Sequence, residues 1–130
     1  MSEVLQAVRA EQTQIESYFQ HLHRHPEVAF EETRTAGYIA DKLREWGYEV
    51  TEGIGRTGVV ARLKVGDGAA SIGLRADTDA LPGQEASDLP YKSQVAGKSH
   101  MCGHDAHSAM LMGAAEHLAR TRHFNGTLNL

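Results

Sequence analysis

The stretch Ser99-His100-Met101-Cys102-Gly103-His104-Asp105-Ala106-His107 places the only cysteine of the chain among three histidines and one aspartate. Thiolate and imidazole groups are strong protein ligands of zinc and of related transition metals. The glycine between Cys102 and His104 allows the backbone to turn, so that both side chains can face one point. The stretch therefore predicts a metal site in which Cys102 and His104 are the leading candidate ligands.

A helix is expected to begin directly at this stretch. From Ala106 to Leu118, small and apolar residues recur at helical spacing, which predicts a helix over about 105–120. A second interpretation of the stretch is a cysteine hydrolase in which His107 activates Cys102 as a nucleophile. That chemistry also needs an orienting group and oxyanion donors, and no motif in the sequence marks them.

Composition limits the classes of protein to which the chain can belong. Its 130 residues, 41% of them hydrophobic, are enough for one domain with one core. A net charge of −4 argues against a nucleic-acid partner or an anionic membrane surface. The single cysteine rules out an internal disulfide, and residues 1–20 have no apolar run typical of a signal peptide or a membrane span. We therefore expect a cytoplasmic protein.

The first half of the chain predicts two amphipathic helices. One runs from an N-cap at Ser2 to a turn before Pro26, and the other spans 31–46. His23 and His25 fall in the proline turn and are interpreted as solvated loop residues.

The period of the pattern then changes from helix to strand. Residues 59–65 alternate between the two faces of a strand, a Gly-Asp-Gly turn follows, and residues 70–76 alternate again, so a β-hairpin is expected. Asp77 and Asp79 come directly after the second strand, at the edge of an α/β sheet where binding sites gather. Capping of a turn is the alternative role for this Asp-x-Asp pair.

The last third of the chain contains a long loop and a final strand. Residues 83–98 form an irregular connection of the kind that is commonly functional. The strand over 126–130 ends with the chain, which suggests a truncated sheet with an unpaired edge. Such an edge would favour self-association, so a homo-oligomer is expected.

Three motifs taken together resemble one family. They are His23-Arg24-His25-Pro26-Glu27 with Phe30-Glu31-Glu32, then Leu74-Arg75-Ala76-Asp77-Thr78-Asp79-Ala80-Leu81-Pro82, and finally Met101-Cys102-Gly103-His104-Asp105-Ala106-His107. The set is similar to metal-dependent amidohydrolases and aminoacylases, which include hippurate hydrolase, N-acyl-amino-acid amidohydrolases and hydrolases of indole-acetic-acid conjugates. The resemblance implies an α/β fold, a mixed sheet with packed helices. Residues 1–130 would then be a single, partial catalytic domain, the amino-terminal half of a dinuclear-metal domain, without the lid or dimerisation domain and the carboxy-terminal half.

The resemblance also implies roles for particular residues. Cys102 and His104 would ligate a centre of two divalent ions, zinc first, with manganese, nickel or cobalt as alternatives. Asp79 would be the catalytic aspartate, which orients a metal-bound histidine or tunes the acidity of the metal. Three further residues are expected to contact the ligands without binding the metal themselves: Asp77, Asp105 and His107. Asp77 is the one of these that could also be an occasional ligand.

The implied reaction is metal-dependent hydrolysis of the amide bond of N-acyl amino acids or related conjugates. Members of the family are considerably longer, and their general base is a glutamate of an adjacent pair that follows the last strand present here. The chain alone is therefore expected to be inactive, and a truncated metal-binding or interaction module is an alternative. The family also has isoleucine where this chain has Gly83, so the loop predicts little about the substrate.

Overall fold

The computed structural model describes all 130 residues as four helices and six strands in two sheets. The helices are α1 (Glu3–Ala10), α2 (Gln12–Arg24), α3 (Thr33–Glu45) and α4 (His104–Thr121). The strands are β1 (Glu49–Ile54), β2 (Gly58–Val65), β3 (Ser71–Gly73), β4 (Leu81–Pro82), β5 (Lys98–Ser99) and β6 (Gly126–Asn129). The predicted α/β class with a mixed sheet is confirmed. None of the helices combines the length and apolar character needed to cross a membrane.

The amino-terminal helix is divided, contrary to the expectation of one continuous helix. Ser2 caps α1 as predicted, because its hydroxyl accepts from the N–H of Leu5 at 3.3 Å. Glu11 then ends α1 outside the helical region, at φ −94° and ψ 2°, and α2 begins at Gln12. The apolar period continues across this break, so spacing alone could not reveal it.

The helix predicted over 31–46 is present as α3, and a distant carboxylate caps its start. Glu27 accepts hydrogen bonds from the N–H groups of Arg34 and Thr35, at 3.1 and 2.6 Å. These are two of the N–H groups that a helix start leaves without partners. The Pro26-Glu27 turn therefore fixes where α3 begins.

The predicted hairpin between 59–65 and 70–76 is wrong. The main sheet has the order β1-β2-β6-β3, with β1 and β2 antiparallel, β2 and β6 antiparallel, and β3 and β6 parallel. The hairpin that forms instead is β1–β2. The chain crosses from β3 through α4 to β6, as a parallel pair of neighbouring strands requires.

The last strand does not form an open edge, which corrects a second expectation. β6 lies inside the sheet, where Leu128 faces Leu63 of β2 on one side and Ile72 of β3 on the other. The free edges of the main sheet belong to β1 and β3. The reason given above for self-association through 126–130 is therefore wrong.

Helices cover one face of the sheet and form one main core. Ala61 and Leu63 of β2 are buried while Arg62 and Lys64 are exposed, the alternation expected of a strand with one covered face. The main cluster joins the sheet to α3 and α4 through six buried residues: Leu43, Tyr48, Ala61, Leu63, Ala115 and Leu128.

A second cluster packs α2 against the other side of α4. It consists of Tyr18, Leu22, Ala109 and Met112. Gly113 allows this close approach, because a Cβ atom there would lie 2.7 Å from the side chain of Ile15. α4 is thus held between the sheet and α2, which fixes the position of its first turn.

Candidate metal centre

The carboxyl end of β3 and the first turn of α4 meet at one edge of the sheet. Asp77 and Asp79 follow β3, and the hydroxyl of Ser108 in α4 donates to the carbonyl of Asp77 at 2.8 Å. Ala80 is tied to the other side of this segment, since its N–H donates to the carbonyl of Glu27 at 2.8 Å. The carboxylates therefore extend from an anchored backbone towards the histidines of α4.

His104, the first residue of α4, is held by Asp79. Its Nδ1 lies 2.9 Å from Oδ1 of Asp79 and 3.0 Å from the main-chain carbonyl of the same residue. Both partners are acceptors, so the ring proton belongs on Nδ1. Nε2 then faces Oδ2 of Asp77 at 3.3 Å, with its lone pair available for a metal. Histidines that bind metals are commonly oriented in this way by a carboxylate on the other ring nitrogen.

His107 lies one helical turn further along and contacts the same carboxylate. Its Nδ1 is 2.8 Å from Oδ1 of Asp77. Asp77, His104 and His107 each offer one ligand atom, and these atoms all lie within 4.8 Å of one another. One carboxylate and two imidazoles are a donor set that suits a divalent transition metal, so these residues fit such an ion.

The charge state of Asp77 also suits a cation. The hydrogen bond from His107 lowers the pKa of Asp77, although partial burial acts in the opposite direction. The carboxylate is therefore ionised at neutral pH and offers a full negative charge to the cluster.

Two candidate site residues of the third motif, Cys102 and Asp105, lie outside this cluster. Cys102 is an exposed free thiol that precedes Gly103, whose φ of 114° turns the chain into α4. Asp105 is buried and its carboxylate contacts His23 in α2, with Nδ1 of His23 2.7 Å from Oδ2. The carboxylate of Asp105 is therefore directed to His23 and not to Asp77, His104 or His107.

His100 is partly buried beside the same helix start. Both ring nitrogens are buried and neither has a hydrogen-bond partner, and burial lowers the pKa of the ring. His100 is therefore a neutral imidazole at neutral pH.

The structure corrects the interpretation of His23 as a solvated loop residue. His23 lies in α2, is 8% exposed, and contacts Glu85 through Nε2 at 3.1 Å as well as Asp105 through Nδ1. Glu85 in turn accepts from the N–H of Ser93 and the hydroxyl of Ser87, both at 2.6 Å. Sequence reasoning missed this group because its members are far apart in the chain. The one available signal was the histidine pair of the first motif.

A mostly apolar cavity of about 440 Å³ reaches the carboxylates from the side of α3. Asp77 and Asp79 lie in its wall together with residues of α3, β2 and α4. The carboxylates can therefore be approached by a small molecule.

The fold and this cluster define an α/β domain with a candidate metal site. Residues 73–130 match the family described as Peptidase family M20/M25/M40. This match, together with the curated relatives, confirms the resemblance drawn from the three motifs.

Two curated relatives show the level of similarity. The chain is 51% identical over 119 residues to hippurate hydrolase of Campylobacter jejuni, covering 92% of this chain and 31% of the relative. It is 36% identical over 120 residues to N-acyl-L-amino acid amidohydrolase of Geobacillus stearothermophilus, covering 92% of this chain and 32% of the relative. The chain thus spans about a third of the length of these relatives.

Solved structures of the family share the fold. A protein described as an aminohydrolase, from methicillin-resistant Staphylococcus aureus, matches 97% of this chain with a TM-score of 0.91 and 34% identity. The YXEP protein of Bacillus subtilis, a dinuclear metal-binding peptidase of the M20 family, matches 93% with a TM-score of 0.85 and 38% identity. The chain covers 34% and 35% of these two chains. A dinuclear metal site is therefore a property of the second of these structural relatives.

Proposed function

We propose that this chain supplies one wall of a metal centre that hydrolyses the amide bond of N-acyl amino acids or related peptide-like conjugates. The observation that carries the proposal is the cluster of Asp77, His104 and His107, with Asp79 on the far nitrogen of His104. The names of the two curated relatives support an N-acyl amino acid as the substrate.

Each residue of the cluster has a definite task in this proposal. Divalent ions, when bound, would polarise the amide carbonyl and acidify a water molecule. Asp77 provides the negative charge that attracts them, and His104 and His107 provide imidazole nitrogens. Asp79 is the catalytic aspartate of the proposal: it keeps the proton of His104 on Nδ1, so that Nε2 stays free to ligate.

Cys102 and zinc belong to the same proposal. Cys102 precedes the helix that carries both histidines and has an accessible thiol. A thiolate ligand favours zinc over the harder ions, while manganese, nickel or cobalt could bind the same nitrogen and oxygen donors. Two ions per site are proposed on the example of the dinuclear structural relative.

The chain alone is proposed to be inactive because it offers no suitable general base. Hydrogen bonds from Ser87, Ser93 and His23 outweigh the effect of burial and lower the pKa of Glu85 to about 2. The carboxylate of Asp105 is taken up by His23, and Asp77 and Asp79 are assigned to the metal centre. A base with a pKa near neutrality is what proton transfer from water requires.

The alternative of a cysteine hydrolase finds no support in the contacts of its residues. Nδ1 of His107 is hydrogen-bonded to Asp77, and the hydrogen bonds of the structure include none between His107 and Cys102. A metal-binding or interaction module without catalysis differs from the main proposal only in the absence of turnover.

A cytoplasmic location and a homo-oligomer complete the proposal. The location rests on a single, unpaired cysteine. Self-association is supported by the free edge of β3, where Ile72 is 58% and Leu74 is 37% exposed. Neither a nucleic acid nor a membrane is proposed as a partner, because the chain carries a net charge of −4.

Metal analysis of the purified chain tests the site. Zinc is expected to bind wild type, to bind more weakly to Cys102→Ser, and to be lost from His104→Ala. Asp88→Asn, which changes an exposed carboxylate, serves as the matched control and should retain the metal. Equal metal content in all four proteins would overturn the site.

Turnover is tested on a longer protein that contains these residues. Release of the free amino acid from N-benzoyl and N-acetyl amino acids should depend on added divalent metal. It should fall in His104→Ala and stay unchanged in Asp88→Asn. Metal-independent release would overturn the proposed reaction.

A further inference from the structure

His23 lies where three separate parts of the chain meet. It belongs to α2, its Nδ1 contacts Asp105 in the first turn of α4, and its Nε2 contacts Glu85 in the loop 83–98. The side chains of His23 and Glu85 are 10% and 12% exposed, and that of Asp105 is 3% exposed. No other side chain of α2 forms hydrogen bonds both to this loop and to the start of α4.

Both ring nitrogens of His23 face carboxylate oxygens. Both contacts of His23 have hydrogen-bond geometry, and because a neutral imidazole has only one N–H, two accepting carboxylates require the imidazolium form. Nε2 of His104 differs, because it lies 3.3 Å from Asp77 without forming a hydrogen bond to it. The aromatic rings of Phe19 and Tyr91 surround the ring of His23, each with its centroid 5.5 Å away. Charged hydrogen bonds in such a dry setting are stronger and more directional than neutral ones.

The first turn of α4 depends on such an anchor. The residue before the helix, Gly103, adopts a left-handed conformation and has no side chain with which to cap the helix start. Besides the rings of His104 and His107, which contact Asp79 and Asp77, two side chains attach this part of α4 to the rest of the molecule: Ser108 donates to the carbonyl of Asp77, and Asp105 accepts from His23. Since Asp105 directly follows His104, the bond to His23 sets the position from which the ring of His104 approaches Asp77 and Asp79.

We propose that His23 is a positioning residue for the metal centre: through its Nδ1–H bond to Asp105 it fixes the first turn of α4, and with it the ring of His104. The proposal rests on the metal centre proposed above. The second bond of His23, to Glu85, fastens the loop 83–98 to the same point. Within that loop Glu85 is already held by Ser87 and Ser93, and the N–H of Gln94 donates to the carbonyl of Arg24 at 2.9 Å.

Two amide substitutions separate the two bonds of His23. The side-chain nitrogen of asparagine occupies nearly the position of Nδ1, and that of glutamine nearly the position of Nε2. His23→Asn therefore keeps a donor to Asp105 and loses the one to Glu85, whereas His23→Gln does the reverse. Both remove the same positive charge, so a difference between them reports on which bond matters.

The first readout is a metal-free long-range ¹H–¹⁵N spectrum of the histidine rings in the 130-residue chain. Wild type should show His23 protonated on both nitrogens. The ring signals of His104 should stay in place in His23→Asn and move in His23→Gln. His25→Ala is the matched control, because His25 is the next histidine along and bonds only to the carbonyl of His21. Equal His104 signals in the Asn and Gln variants would overturn the proposal.

The second readout is cobalt(II) binding followed by visible absorption. His23→Gln should bind cobalt(II) about 10-fold more weakly than wild type, which is the low end of the range for residues that hydrogen-bond to a metal ligand or position it. His23→Asn and His25→Ala should stay within about 2-fold of wild type, a smaller change than that range. Glu85→Gln should melt at a lower temperature and keep its cobalt affinity. Equal weakening in Glu85→Gln and His23→Gln would show that general stability, and not the bond to Asp105, is responsible.

Failure of the metal centre and failure of the His23 proposal give different results. If wild type binds no cobalt, the proposed metal centre is wrong, and the His104 ring signals decide the role of His23. If His23→Gln does not fold, the double variant His23→Gln with Asp105→Asn replaces it in the experiment. The double variant removes the buried carboxylate that His23→Gln alone would leave without a partner. The same shift of His104 is expected from it, and an unshifted ring refutes the role of His23.

Discussion

Replacement of Asp79 is the most direct perturbation of the proposed centre. Asp79 holds Nδ1 of His104 through two oxygens, the carboxylate at 2.9 Å and its own main-chain carbonyl at 3.0 Å. Asp79→Asn keeps an oxygen that can accept this hydrogen bond and removes the charge that makes the imidazole a stronger base. Asp79→Ala removes both side-chain effects and leaves the carbonyl in place.

The magnitude follows from these two contacts. Loss of a group that orients a metal-bound histidine costs about 10–100-fold in metal affinity. Because the main-chain carbonyl still holds the ring, both variants should fall near the lower limit. We expect about 10-fold for Asn, which corresponds to about 1.4 kcal/mol of binding free energy, and a slightly larger loss for Ala.

Competition between the 130-residue chain and a chromophoric chelator, with zinc and with cobalt, measures these affinities. Asp88→Asn provides the control for the change of charge, and thermal melting confirms that each variant is folded. Unchanged affinity in Asp79→Ala would reduce the Asp-x-Asp pair to a turn cap. A loss far above 100-fold would mean that Asp79 is itself a ligand.

Three further outcomes are expected. Burial raises the pKa of Glu85, but its hydrogen bonds outweigh burial and lower the pKa to about 2 from the ordinary 4.5. Burial lowers the pKa of His23, but its hydrogen bonds to Glu85 and Asp105 outweigh burial and raise the pKa above the ordinary 6.5. The contribution of Glu85 to stability is therefore lost as the pH falls from 4.5 towards 2, and that of His23 is lost as the pH rises through its raised value. In urea unfolding across pH, the loss of unfolding free energy in His23→Gln and in Glu85→Gln relative to wild type should be greatest between about pH 4.5 and 6.5, and a loss that grows steadily up to pH 9 would contradict the assignment. Met112 is 2% exposed between α2 and α4, and Met112→Ala should lower the free energy of unfolding by about 2–5 kcal/mol. Met110 is 60% exposed on the same helix, and Met110→Ala should change the free energy of unfolding by less than about 0.5 kcal/mol. Similar losses in the two variants would refute the described packing of α4. The 130-residue chain should release no amino acid from N-acetyl or N-benzoyl substrates above background with zinc or manganese added, and metal-dependent release abolished by Cys102→Ala would show that it is a complete catalyst.

Local patterns predicted most of the elements and the location of the site. The helices near 31–46 and 105–120 were found from apolar spacing, and the alternation of 59–65 gave the buried face of β2. Both ends of the proposed centre were also visible, since Asp77 and Asp79 follow a strand and His104 opens a helix. These features depend on neighbours within a few residues, which the sequence displays directly.

Pairing between distant segments was not predictable in this way. Nothing in the alternation of 70–76 shows that β6, more than fifty positions later, takes the place beside β2. A tight Gly-Asp-Gly turn favours a hairpin locally, and the burial of Leu128 between its two neighbouring strands outweighs that preference. The same limit applied to His23, whose carboxylate partners lie 62 and 82 positions away.

The sequence by itself determined the family resemblance, the α/β class and the chemical identity of the donors, because residue type and local spacing carry that information. Only the tertiary structure decided which donors meet. It brought Asp77, His104 and His107 together, left the thiol of Cys102 exposed, and turned Asp105 away to His23. The physical reason is that the packing of α4 between the sheet and α2 sets the direction of each side chain in its first turn, and that packing arises from contacts between residues far apart in the chain.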